Sequence, residues 1–274
     1  MMTENPILIS ADIINSTGKA RAFYSTRSGG ISSGCYSTLN LSWRGTDSPE
    51  NIKENYKIAC REAGIDINAL VFLFVRGGDA VQKSRPRTLS ALEGIDIPHK
   101  HCGKFNKKAI PNVDALITDE KSVTLTSRTA DCVPVLILDE KLNCIGAVHS
   151  GWRGTLQSIT VETLKQMEKE YGTSAADCLV SIGPCICKEC FEVDSDVAAS
   201  FNEKFGRKYC SYDGEKYHID LVSIISDELI TLGVPKKKIS LSANICTACN
   251  TDMFFSHRAE HGNTGGMCAF LSLI

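Results

Sequence analysis

The chain contains no stretch of about 18 consecutive apolar residues, so no segment is expected to span a membrane as a helix. It has no charge excess: 30 basic and 32 acidic residues leave a net charge of -2, so nothing recruits nucleic acid or an anionic membrane surface. The first residues, MMTENPILISADI, lack the charged start and apolar run of a signal peptide, so a cytoplasmic protein is expected. Histidine is sparse, with six in 274 residues, too few for a histidine-rich multicopper cluster. Internal repeats and low-complexity tracts are absent as well. Cysteine, by contrast, is abundant. Thirteen cysteines, an odd number scattered without an export signal, argue for free thiols in a reducing compartment and against a disulfide framework.

The apolar fraction, 43%, and the charged fraction, 23%, are those of a soluble globular protein, and 274 residues suit one α/β domain spanning 1–274. Short apolar runs rich in Val, Ile, Leu and Thr predict strands at 20–25, 70–75, 114–118, 123–127, 133–138, 143–149, 178–182, 239–243 and 267–273. Helical spacing predicts helices from Ser48 to about Ala63, over 155–170, over 194–205 and over 221–232, each followed by glycine. Strands and helices mix without strict βαβ alternation, which predicts a mixed sheet with helices on its faces. Residues 94–112 hold two prolines, two glycines and four lysines without a period and are read as a surface loop.

The segment most informative about chemistry is 129–155, TADCVPVLILDEKLNCIGAVHSGWRGT. It reads as an antiparallel hairpin turning at 140–142. Cys132 begins the first strand and His149 ends the second, so the hairpin brings them together. A thiol beside an imidazole can bind a transition metal, or the imidazole can take the thiol proton and create a nucleophile. Taken alone, a buried cysteine or a histidine at a strand end is more often structural. The pairing, and the turn SGWRGT after His149, weigh against that. Gly151 and Gly154 let backbone approach a ligand, a helix starting near Thr155 offers N–H groups, and Arg153 adds a planar cation.

ADCVP followed by AVHSGWRGT resembles the signature of the laccase-domain, or YfiH-like, family, whose members are variously called polyphenol oxidase, purine nucleoside phosphorylase and peptidoglycan editing factor. Further matches are STRSGGISSG with LNLS at 25–42, DALIT at 114–118, GPCI with FEV at 183–193, CT at 246–247 and FFSHR at 254–258. The resemblance implies a layered α-β-β-α fold with mixed sheets, related to the catalytic domain of cytotoxic necrotizing factor. It implies a zinc site in which Cys132 and His149 are two of three ligands. The third, a histidine in the family, corresponds to Arg76, and arginine is not a practical metal ligand. Either the metal is lost, or His99 or His101 reaches in, or Arg76 holds phosphate at a metal-free site. Gly266 is a second departure, standing where the family often has arginine.

The resemblance also makes Arg27 an expected anion or substrate contact and Arg258 a site-facing charge. Asn40, flanked by apolar residues, is a structural pin or a substrate contact. Asp131 orients a neighbour or caps the turn. The implied function is phosphorolysis of purine nucleosides such as adenosine, inosine or methylthioadenosine, with adenosine deamination as a companion activity. Arg153, Arg27 and Arg76 would hold phosphate, while Cys132 and His149 would serve the departing base. The partners are then a purine nucleoside and phosphate, in a monomer or small homo-oligomer. A metal-independent cysteine hydrolase or amidase, a copper-linked phenol oxidase and a degraded binding protein are the alternatives. CICKEC at 185–190 and CTAC at 246–249 carry five cysteines, and the second pair fits C-x-x-C. They are expected to be neighbouring free thiols with neither a disulfide nor a metal joining them.

Overall fold

The computed structural model describes residues 5–74, 86–88, 95–96, 108–111, 113–242 and 245–274. Arg76, His99 and His101 lie outside them. The strands, in chain order, are β1 (Leu8–Ser10), β2 (Ala20–Ser25), β3 (Leu70–Phe74), β4 (Pro86–Thr88), β5 (Ile95–Asp96), β6 (Lys108–Pro111), β7 (Ala115–Thr118), β8 (Thr124–Thr129), β9 (Val133–Asp139), β10 (Cys144–Ser150), β11 (Cys178–Ile182), β12 (Glu192–Val193), β13 (Cys210–Tyr212), β14 (Tyr217–Ile219), β15 (Ile239–Leu241) and β16 (Met267–Leu273). The helices are α1 (Asp12–Asn15), α2 (Pro49–Ala63), α3 (Trp152–Leu156), α4 (Ile159–Tyr171), α5 (Ser195–Phe205) and α6 (Leu221–Leu232). No helix among the described residues is long and apolar enough to cross a membrane.

Among the described residues the strands form a seven-stranded sheet ordered β1-β2-β16-β8-β3-β6-β5, a six-stranded sheet ordered β15-β11-β9-β10-β7-β4, and a small third sheet ordered β12-β14-β13. The two large sheets are mixed and pack face to face. Side-chain alternation sorts their residues into layers. In β9, Leu136 and Leu138 point into the inter-sheet core with Ile145 and Ala147 of β10, meeting Val71, Leu125 and Leu271 of the other sheet. Val133, Val135 and Ile137 point the other way, onto Leu164, Phe201 and Ile224 of α4, α5 and α6. The outer face of the seven-stranded sheet, with Leu70, Phe72 and Phe270, is covered by Ile52, Tyr56 and Ala59 of α2. The result is the layered α-β-β-α fold. All seven residues of β9 and of β16 are buried, and each fully buried Val, Leu or Ile contributes about 1.5–3 kcal/mol.

Local chemistry sets the helix limits. The Ser48 side chain accepts from the backbone N–H groups of Glu50 and Asn51, Pro49 opens α2, and Gly64 ends it at φ 63°. The helix expected over 155–170 is broken instead. Ser158 sits at φ 58°, where its hydroxyl bonds the Glu228 carboxylate and accepts from Lys204 Nζ, ending α3 and starting α4 afresh. The reading of 94–112 as a surface loop is corrected in part, because β5 and β6 fall inside it and β6 pairs with β3 in parallel.

Candidate active site around Cys132 and His149

β9 and β10 pair antiparallel, with His149 opposite Pro134 and Ser150 opposite Val133. Continuing the alternation of Leu136 and Leu138 backwards, and of Ile145 and Ala147 forwards, puts Cys132 and His149 on the inter-sheet face at one end of the sandwich. The structure sets the two side chains together there, both against Gly151. Gly151 closes the group: a Cβ on it would lie 3.2 Å from Cys132 Sγ and 3.4 Å from His149 Cε1.

His149 has a partner not singled out from the sequence. Its Nδ1 lies 3.2 Å from the Asp114 carboxylate, and its backbone N–H donates to the Asp114 carbonyl at 2.7 Å. Asp114 belongs to DALIT, read only as a strand and a family match. Burial pulls the His149 pKa down, but the Cys132 sulfur and the Asp114 carboxylate outweigh it and push it up to about 10. The constellation is thiol, imidazole and carboxylate in sequence, the pattern by which a nucleophile, a base and an orienting group are recognised.

Asp131, just before Cys132, takes φ 89° and is buried. Its carboxylate accepts from the Thr247 hydroxyl at 2.6 Å and from the Arg258 N–H at 2.7 Å, while its carbonyl accepts from Ile186 N–H at 2.9 Å. Asp131 is therefore an orienting hub as well as the entry to β9.

The cations distribute differently from expectation. Arg153 is exposed in the first turn of α3 and stacks on Trp152, with Cζ 4.2 Å from the ring centroid. Arg27 is committed to the Ser37 carbonyl at 2.9 Å, the Thr251 and Phe254 carbonyls, the Glu260 carboxylate at 3.1 Å and the Phe255 ring. These contacts account for Arg27 as a clamp between the N-terminal motif and the 251–260 segment. The Arg258 guanidinium donates to the carbonyls of Cys190 and Glu192, so its charge faces that segment's backbone. Asn40 is fully buried. Its Oδ1 accepts from Ser42 and Gly266 N–H groups and its Nδ2 donates to Asp47, which are the contacts of a structural pin. A Cβ at Gly266 would stand 2.8 Å from Ser42 Cβ, so a side chain there would displace the Ser42 loop.

The cysteines of the two segments are neighbouring free thiols, as expected. Cys187, Cys190, Cys246 and Cys249 gather with all four sulfurs within 4.8 Å of one another, a group that could hold a metal ion. It is the one group of three or more candidate ligands among the described residues. Cys185, the fifth, is buried beside it and forms a backbone bridge with Cys246. Burial raises the Cys246 thiol, but hydrogen bonding to its sulfur, with the Cys187 N–H at 3.2 Å, outweighs burial and brings its pKa below the ordinary cysteine value, while burial pushes the Cys187 thiol up to about 12. The sequence held a signal for this: 187–190 is also C-x-x-C.

The family model described as multi-copper polyphenol oxidoreductase laccase matches residues 21–274. A protein of Bacteroides thetaiotaomicron named purine nucleoside phosphorylase is 33% identical over 268 residues, covering 94% of this chain and 93% of its own. A protein of an unknown prokaryotic organism named adenosine deaminase RL5 is 28% identical over 262 residues, 93% of this chain and 94% of its own. Among solved structures, the YfiH protein of Bacillus licheniformis superposes with TM-score 0.84 at 25% identity, covering 98% of this chain and 97% of its own. YlmD from Geobacillus stearothermophilus superposes with TM-score 0.82 at 27% identity, covering 94% and 93%.

Proposed function

The chain belongs to the multi-copper polyphenol oxidoreductase laccase family, the YfiH-like proteins, and on that premise we propose that it is a cytoplasmic, single-domain purine nucleoside phosphorylase acting at Cys132 and His149. Adenosine, inosine and methylthioadenosine are the substrates, with adenosine deamination as a side activity. The observation that carries the reading is the meeting of Cys132 and His149 at one end of the sandwich, with Asp114 behind the imidazole. Relatives named purine nucleoside phosphorylase along nearly their whole length support the substrate class.

In phosphorolysis a phosphate oxygen attacks the anomeric carbon. The bond to the purine nitrogen breaks, its electron pair leaves with the base, and the base takes a proton. His149, charged through neutral pH by its two neighbours, is suited to give that proton, and Asp114 fixes which nitrogen faces the substrate. Arg153, four residues after His149 and exposed on α3, would meet the phosphate. Preorganised charge of this kind acts without reorganisation when the bond breaks.

Zinc is the metal that the family resemblance implies. The described residues supply Cys132 and His149 as donors, and Asp114 holds the far imidazole nitrogen as outer-shell carboxylates do for metal-bound histidines. A catalytic zinc takes three protein ligands, so this set is one short, and no step above runs through a metal. A copper cluster lacks its histidines among the described residues.

The Cys132–His149–Asp114 order also suits a cysteine hydrolase or amidase, with Cys132 attacking a carbonyl. Incubating the full-length protein with adenosine or inosine, with and without phosphate, separates the readings. Purine release that requires phosphate and yields ribose 1-phosphate is expected. Absence of release from every nucleoside at any phosphate concentration overturns the phosphorylase reading.

A further inference from the structure

We propose that Cys187, Cys190, Cys246 and Cys249 bind one zinc ion tetrahedrally, and that this ion is structural, tying two loops to Asp131 beside the candidate active site. The proposal is independent of what Cys132 and His149 catalyse.

The donor set comes first. Two C-x-x-C segments, 187–190 and 246–249, meet at the surface, and four thiolates are the ligand set of closed structural zinc sites. Zinc–sulfur bonds of about 2.3 Å at tetrahedral angles put ligand sulfurs about 3.8 Å apart. The four sulfurs here lie within 4.8 Å of one another, and Cys190 and Cys249 are 3.3 Å apart. That spread fits one ion. It is too tight for an iron–sulfur cluster, whose cysteines sit on different iron atoms and stand farther apart. It is also wider than a disulfide, whose sulfurs are about 2.05 Å apart, and all four cysteines are free.

One backbone contact favours an anionic sulfur. The Cys187 N–H donates to Cys246 Sγ at 3.2 Å. Such contacts stabilise thiolates and turn ligands toward a common point. The set carries four negative charges when ionised, and a divalent cation halves the excess.

The surroundings give the ion its consequence. Thr247 N–H donates to the Cys185 carbonyl at 3.0 Å, pairing the two loops. Each loop then reaches Asp131: Ile186 through its N–H and Thr247 through its hydroxyl. Arg258 binds the Cys190 carbonyl from one side and Asp131 from the other. A four-thiolate ion would add a cross-link between the two loops at the point where both reach Asp131, and so help hold Asp131, and with it Cys132, in position.

The test is metal analysis of full-length protein purified under reducing conditions without chelator. The wild type and Cys132→Ser should each carry one zinc per chain. Cys187→Ser/Cys246→Ser should hold about tenfold less or lower still. Since that variant is at risk of misfolding, titrating wild-type protein with an organomercurial while zinc release is read by a chromogenic chelator provides a second measurement. Release should follow the reaction of the four cluster thiols and not that of the other accessible thiols, Cys35, Cys132 and Cys210. Cobalt(II) exchanged into the wild type should show the charge-transfer bands of tetrahedral thiolate. A metal-free wild type, a Cys190–Cys249 disulfide under reducing conditions, or zinc lost with Cys132→Ser but kept in the double variant would each overturn the proposal.

Discussion

His149 is bound to Asp114 twice, through its backbone N–H to the carbonyl at 2.7 Å and through Nδ1 to the carboxylate at 3.2 Å. The second contact and the Cys132 sulfur, acting against burial, push the His149 pKa up to about 10. A raised histidine pKa stabilises the fold in full below the ordinary value near 6.5, and that contribution is lost as pH rises through about 10. Asp114→Asn keeps the shape and removes the charge. Its activity should fall roughly tenfold to a hundredfold, and the alkaline limb of the pH–rate profile should move to lower pH. A pH profile of purine release superimposable on that of the wild type would remove Asp114 from the site.

Cys132→Ser tests the other side of the imidazole. The hydroxyl replaces the sulfur that helps raise the His149 pKa, so the proton donor is weakened: purine release should fall by about tenfold or more and the alkaline limb of the pH–rate profile should move to lower pH. Circular dichroism should be unchanged, since Cys132 lies at a strand start and is only partly buried. A variant retaining most of its activity would move the chemistry elsewhere.

Gly151→Ala probes access. The backbone there has φ -72°, which any residue adopts, so the substitution should cost less than about 1 kcal/mol of stability. The new methyl would stand against Cys132 Sγ and His149 Cε1 and narrow the approach to both. The expected result is a large loss in kcat/KM with a nearly constant melting temperature. Equal loss of both would instead indicate general damage.

How far the sequence revealed this depended on the length of each pattern. β2, β11, β16 and α6 occupy their expected spans because burial imposes a full period on each. The Cys132–His149 contact was legible because a hairpin needs only local pairing. Asp114 was not, because its place beside His149 follows from β7 pairing with β10, and no local pattern sets sheet order. The small sheet of β12, β13 and β14 escaped because strands of two or three residues carry no period. The four-cysteine group was half visible. Both C-x-x-C segments stand in the chain, but their meeting depends on the long return from β11 to the 246–249 loop.

Arg76→His follows from the family resemblance, since Arg76 lies outside the described residues. Histidine would complete a three-ligand set with Cys132 and His149, and loss of the cation would remove repulsion of a metal ion. Metal analysis should show bound zinc rising by one ion per chain above the wild-type content. No gain in metal would show that Arg76 does not stand at the ligand position.

Asp131→Asn tests whether the hub matters to the site. Asparagine tolerates the positive φ of this position, so backbone strain does not enter. It has one acceptor oxygen where aspartate offers two, and Asp131 uses both, one for the Thr247 hydroxyl and one for the Arg258 N–H. One buried donor must lose its partner, at a cost of about 1–3 kcal/mol. The melting temperature should fall, and purine release with it, because Cys132 follows directly in the chain. Thr247→Val removes the hydroxyl alone and should cost less. In the double variant the two losses should not add, since both delete the same bond. Strict additivity of the two in stability and in rate would show that the 2.6 Å contact does not couple the cysteine loops to the active-site strand.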